Sequence, residues 1–238
     1  VGKLMYHRGM FERLFRSSPD KRRNILDARE STYRASAENK ERADDLAKRL
    51  DETNRLARMD ALTGIMNRRG FEEAANLILG HAAEGRRDGE DASPRTHAVI
   101  MFDVDHFKKV NDTYGHTGGD LVLKKIGEML RGETRAYDCV GRYGGEEFIV
   151  LVETSGMPFV EAAAERLRVK LNSLKVRLDD GRDVEFSISM GVAEVHEGES
   201  IDSARERADQ ALYQAKGSGR NRVIVDGSGE AQAKGDSQ

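Results

Sequence analysis

What most constrains this chain is the shortness of its apolar runs. The longest, at 98–104 and 148–152, have the length of buried strands, and none approaches the ~18 residues needed to cross a membrane. Such runs predict a sheet built from short buried strands. Hydrophobic residues make up 38% of the 238 positions and charged residues 34%, which suits a soluble globular core joined to a strongly charged accessory part. The net charge of −3 points to neither nucleic acid nor membrane. Cys139 is the single cysteine, so no internal disulfide can form, and no signal-peptide pattern opens the chain. Both features predict the cytoplasm. The chain opens on Val1 rather than Met, as a trimmed piece would.

Residues 1–59 hold no strand-like run. Leu4, Phe11, Leu14 and Phe15 give a short amphipathic helix. Ser17-Ser18-Pro19-Asp20 then reads as a break and a new start, with Ser18 as cap and Pro19 at the first helical position. The second helix is expected to reach about Arg58. Its best seam is Ala43, Leu46, Leu50, Thr53 and Ala57, spaced three and four apart. Upstream, the same register falls on Ile25, Arg29, Thr32, Ser36 and Asn39, a poor core, so a solvated single helix is the alternative to a coiled coil. The segment carries 15 Lys and Arg against 10 Asp and Glu, an excess of five positive charges that fits contact with an unidentified protein partner or surface.

From Asp60 the pattern changes. Helices are predicted at 67–79, 107–113, 120–131, 158–172 and 201–216, and strands at 97–104, 184–195 and 222–225. Runs 140–143 and 148–152 flank Gly144-Gly145 as a hairpin, and Gly191 marks a possible bulge. Residues 80–94 read as a mobile loop and 227–238 as a disordered tail. The expected layout is a helical segment at 1–59, an α/β sandwich of helices on a sheet at 60–226, and the tail.

Three motifs carry chemistry. Asp103 and Asp105 stand at the end of an apolar strand, where carboxylates can ligate Mg²⁺ or simply cap the next helix. Gly144-Gly145-Glu146-Glu147-Phe148 puts two adjacent acids at a tight turn, which is either solvated or holds a cation. Lys216-Gly217-Ser218-Gly219-Arg220 ends a helix, either as a plain C-cap or as a phosphate clamp. Together, acids, cations and glycine turns are the groups used in phosphoryl or nucleotidyl transfer. The sequence has no P-loop, no paired cysteines for zinc and no Gly-x-Ser-x-Gly elbow.

These residues resemble the GGDEF family of diguanylate cyclases, in its GGEEF form. The resemblance extends from Asp60-Ala61-Leu62-Thr63-Gly64 and Asn67-Arg68-Arg69 through Phe102-Asp103-Val104-Asp105-His106-Phe107-Lys108, Asn111-Asp112, Gly115-His116 and Gly118-Gly119-Asp120. It continues with Arg142-Tyr143 before the signature, Ser189-Met190-Gly191, Ala208-Asp209 and Arg220-Asn221. It implies a polymerase-palm-like, mainly antiparallel sheet surrounded by helices, and condensation of two GTP into cyclic di-GMP with release of pyrophosphate. By position, Asp103, Glu146 and the Val104 carbonyl would bind two Mg²⁺ with Glu147 contributing, and Mn²⁺ could substitute. Glu146, Glu147 and Lys108 would be catalytic. Asn111 and Asp120 would hold the guanine edge, and Lys108, Lys216 and Arg220 the triphosphate.

The resemblance also implies a homodimer with one GTP per protomer, joined by the N-terminal helices. Arg135-Ala136-Tyr137-Asp138 matches the family's Arg-x-x-Asp inhibitory site for the product, completed by Arg166 from a second domain; a surface turn is the plain alternative. Two rival readings are a catalytically dead nucleotide sensor and a docking scaffold carrying the cyclase. Retention of Asp103, Glu146, Glu147, Asn111, Asp120, Lys108, Lys216 and Arg220 favours the enzyme over the sensor.

Overall fold

The computed structural model describes residues 19–85, 96–133 and 138–227. The chain divides into two compact units, Val1–Arg55 and Leu56–Gln238. The first is described by helix α1 (Pro19–Arg58). Pro19 sits in the first turn, where a missing N–H costs nothing, and Asp20 complements the helix dipole. The seam residues Ala43, Leu46, Leu50, Thr53 and Ala57 are all exposed in the single chain.

The second unit runs β1 (Met66–Asn67), α2 (Arg68–Gly85), β2 (Thr96–Val104), α3 (Phe107–Glu133), β3 (Cys139–Arg142), β4 (Glu147–Thr154), α4 (Met157–Asn172), β5 (Ile188–Val195), α5 (Ile201–Gly217) and β6 (Val223–Val225). The strands form one sheet in the order β1-β3-β4-β2-β5-β6. The three central pairings, β3 with β4, β4 with β2 and β2 with β5, are antiparallel; the two edge pairings are parallel. No helix among the described residues is long and apolar enough to cross a membrane.

The apolar runs are explained by burial on both sides. Ala98, Ile100, Phe102 and Val104 of β2 join one core cluster with α3 and α4, while Val99 and Met101 join a second with α2 and α5. Alternate side chains of one strand therefore serve opposite faces, and both are covered. Phe102 and Phe148 are fully buried, with stacked rings 5.2 Å apart.

Several boundaries differ from the sequence reading. Helix α2 continues to Gly85, through part of the expected loop. The two helices expected at 107–113 and 120–131 nearly merge, broken only at Gly115, whose φ of 74° turns the chain within one residue. Strand β5 begins at Ile188; upstream, Val184 N–H donates to Val176 O and Arg177 bridges Asp183 in a small hairpin. Gly191 is not a bulge. It pairs in register with Met101 and Ile224, and a Cβ there would collide with the Ala208 carbonyl and Leu212 nitrogen of α5. The glycine lets α5 lie directly on the strand. The expected helix around Leu4, the Ser18 cap, Arg135 and the tail beyond Gly227 lie outside the described residues.

Candidate active site

The C-terminal end of β2 is where the acidic motif meets its surroundings. Asp103 pairs across the sheet with Glu147 on one side and Ser189 on the other. It is 5% exposed, and Lys216 Nζ of α5 stands 3.0 Å from its Oδ2. Burial pushes the Asp103 carboxyl up to about 6; Lys216 pulls it down, and the neighbouring charges of Glu146 and Glu147 push it up again. A buried carboxylate near two others is held in an environment that favours added positive charge.

The Gly144-Gly145 turn is braced by Arg142 of β3, which is itself anchored outside the hairpin by Asp60. Arg142 Nε and Nη2 donate to the Gly145 carbonyl at 3.1 and 2.6 Å. Its Nη1 reaches both carboxylate oxygens of Asp60, at 3.1 and 3.2 Å. Asp60 in turn accepts from the Thr63 N–H and hydroxyl. Burial would raise the Asp60 pKa, but the hydrogen bonds from Thr63 and Arg142 outweigh it and hold it below the ordinary value. Gly144 is tight against the Glu147 carboxylate, which occupies the space of a Cβ.

The kinked α3 supplies a second edge. The Asn111 carboxamide oxygen packs where a Gly119 Cβ would be, which seats Asn111 against the residue before Asp120 across the Gly115 turn. Asp120 and Lys108 are exposed and Asn111 is half-buried. A carboxylate and a carboxamide both offer oxygen acceptors for N–H donors.

Asp105 does not cap α3. Its carboxylate accepts from Ser187 Oγ and Ser189 Oγ, both at 2.6 Å, and from the Asn221 N–H at 3.1 Å. On the far side of the sheet end, Arg220 and Asn221 follow α5 with φ of 64° and 50°. Arg220 N–H closes the helix onto the Ala215 carbonyl.

Asp138 and Arg166 lie elsewhere, lining a cleft of about 570 Å³ between β4 and α4 with Glu133, Glu153, Phe159 and Lys170.

Three features were missed by the sequence reading: the Arg142–Asp60 brace, the use of Gly119 to seat Asn111, and the buried role of Asp105. Partners 82 residues apart leave no local trace, although an Arg beside a glycine turn and a Gly-Gly pair between two helical stretches are visible signals.

Among the described residues, no three His, Cys, Asp or Glu stand together as a metal cage. Mg²⁺ does not need one, because it binds through one or two carboxylates plus waters and substrate phosphates. Asp103, Glu146, Glu147 and the Val104 carbonyl are all oxygen donors of that kind, so the residues present fit a hard divalent cation.

Residues 57–222 match the family model of the diguanylate cyclase GGDEF domain. Diguanylate cyclase A of Treponema denticola is 40% identical over 150 residues, covering 63% of this chain and 40% of that protein. The chain spans less than half the length of the curated relatives it matches. Among solved structures, the coiled coil and GGDEF domain of DgcB from Caulobacter crescentus, in complex with c-di-GMP, aligns with a TM-score of 0.70 and 31% identity over 84% of this chain and 98% of that one. The diguanylate cyclase SiaD of Pseudomonas aeruginosa, in complex with its activator SiaC, aligns with a TM-score of 0.60 and 30% identity over 94% of this chain and 87% of that one.

Proposed function

The chain belongs to the GGDEF family of diguanylate cyclases, and from that membership we propose that it condenses two GTP into cyclic di-GMP with release of two pyrophosphates. The observation that carries the reading is the end of β2, where buried Asp103 meets Glu147 across the ladder and Lys216 from α5. That arrangement suits a triphosphate: acids for a cation that phosphate shares, and a lysine for the phosphate itself.

In this proposal Asn111 and Asp120 hold the guanine edge, and Lys108, Lys216 and Arg220 hold the triphosphate. Adenine lacks the donor pair that Asp120 would accept, so ATP leaves the carboxylate poorly satisfied. Asp103, Glu146 and the Val104 carbonyl, with Glu147, would hold two Mg²⁺ (or Mn²⁺), which would lower the pKa of a 3′-hydroxyl and polarise an α-phosphate. Glu146 and Glu147 sit at the turn braced by Arg142, and Lys108 neutralises charge on the leaving group. In-line attack by the 3′-oxygen of one GTP on the α-phosphorus of the other expels pyrophosphate, and a second attack closes the ring.

Each protomer holds one GTP, so the working enzyme is a homodimer, with residues 1–59 as the dimerisation segment, 60–226 as the catalytic domain and 227–238 as a tail. The cytoplasm is the compartment that fits. The positive charge of the helical segment fits an additional protein partner.

Arg135 and Asp138, completed by Arg166 of a second domain, form the inhibitory site for the product. The placement of Asp138 and Arg166 along one cleft supports this, since that face of each domain presents both the acid for a guanine edge and the cation for a phosphate. Replacement Arg135→Ala should leave the initial rate unchanged and remove the slowing caused by added cyclic di-GMP; equal inhibition of both proteins would contradict the site. The function itself is tested by offering GTP or ATP with Mg²⁺ and separating the nucleotides by chromatography. Cyclic di-GMP from GTP alone is expected, and equal turnover of ATP would contradict the assignment of Asp120.

A further inference from the structure

We infer that Asp105, the second carboxylate of Phe102-Asp103-Val104-Asp105, is a positioning residue: it fixes the segment 217–220, and with it Arg220, against the end of β2. The inference rests on the proposed reading that Lys216 and Arg220 contact the triphosphate. Asp105 is 4% exposed, and its two oxygens are taken up by Ser187 Oγ, Ser189 Oγ and the Asn221 N–H. A buried carboxylate with three donors already on it has little capacity left for a cation.

The geometry at the two ends of 217–220 carries the argument. At its start, the Lys216 side chain is held by Asp103; at its end, the Asn221 backbone is held by Asp105. Two carboxylates two residues apart, Asp103 on β2 and Asp105 just past its end, thus pin both ends of the same short segment. The pin has work to do, because Arg220 and Asn221 both occupy the left-handed region that non-glycine residues rarely adopt.

A second tier holds the pin in place. The Asn221 carboxamide oxygen accepts from Arg168 Nη1 and from Asn172 Nδ2, and Asn172 Oδ1 accepts from the Ile188 N–H at the start of β5. Ser189 Oγ also accepts from the Asn221 N–H at 3.1 Å. The direction of Arg220 is therefore set by β2, β5 and α4 together. A small displacement of a phosphate-holding group is costly because binding and reaction both depend on its alignment.

The test measures GTP and GMP binding by calorimetry in EDTA, which prevents turnover and removes any cation's contribution. The GTP–GMP difference then reports the side chains that hold the terminal phosphates. The full chain is compared with Arg220→Ala, Asp105→Ala and Asp105→Asn. The last keeps the shape and one oxygen for Asn221, so it serves if the alanine variant does not fold. Asp105→Ala should weaken GTP binding about tenfold and Asp105→Asn about threefold, each with GMP affected less than about twofold. Hydrogen exchange of the Asn221 amide should quicken in both variants. Arg220→Ala should lower GTP binding selectively while leaving that amide protected. GTP and GMP weakened alike, or an unchanged Asn221 amide, overturns the positioning role. Arg220→Ala with no selective loss of GTP instead overturns the phosphate reading, and the inference falls with it.

Discussion

At the residue scale, Asp103 concentrates the account. Replacement by Asn keeps the shape and the Lys216 contact distance but removes the charge, so turnover should fall more than tenfold while the thermal transition stays sharp. Residual activity above a tenth of native would contradict the metal assignment. The raised pKa adds a pH prediction. Below about 6 the metal-free carboxyl carries a proton that a cation must displace, so Mg²⁺ affinity should be level above that value and fall as the pH drops through it. The same shift favours the protonated folded state. Its contribution to the stability of the metal-free protein is complete below the ordinary carboxylate range and is lost as the pH rises through about 6. Isothermal titration with Mg²⁺ from pH 5 to 8 checks the first statement, and affinity independent of pH would contradict it. Much of this residue was legible from the sequence, because a carboxylate ending an apolar strand is a local pattern. Asp105 was not: capping is a short-range reading, whereas its actual donors are Ser187, Ser189 and Asn221, more than eighty residues further along the chain.

At the scale of elements, glycines decide how closely helices approach the sheet. Gly191 has an ordinary strand pairing, so it is not required for a turn; it is required because α5 lies on it. Gly191→Ala forces a methyl group into the Ala208 carbonyl and Leu212 nitrogen and should cost about 1–3 kcal/mol, with α5 and its Lys216 displaced. A chemical denaturation curve measures this, and an unchanged midpoint would show that the helix can lift away without loss. The strands β2 and β4 were readable because burial on both faces writes itself as a continuous apolar run. The near-continuity of α3 and the late start of β5 were not. Gly118 and Gly119 sit inside a helix because Tyr114 and Asn111 fill the space of their missing side chains, and Val184 is drawn into a hairpin with Val176. Both are tertiary facts that override the local pattern.

At the scale of the molecule, the proposed chemistry needs two half-sites to meet. Leu46 and Leu50 are 67% and 62% exposed on α1, which is where a second copy of the helix would cover them. Glu at both positions should leave the folded catalytic domain intact and make the specific rate rise steeply with protein concentration, because tethering that supplies an effective concentration of about millimolar is lost. A variant that keeps the full native rate independent of protein concentration would contradict that role for the helix. The central claim, that this chain joins two GTP into one ring, is tested most directly by following pyrophosphate and cyclic di-GMP in one reaction with GTP and Mg²⁺. Two pyrophosphates per cyclic di-GMP, with both signals lost in Asp103→Asn, is the predicted result. No cyclic product from native protein at micromolar concentration, or a product that survives Asp103→Asn undiminished, would contradict it.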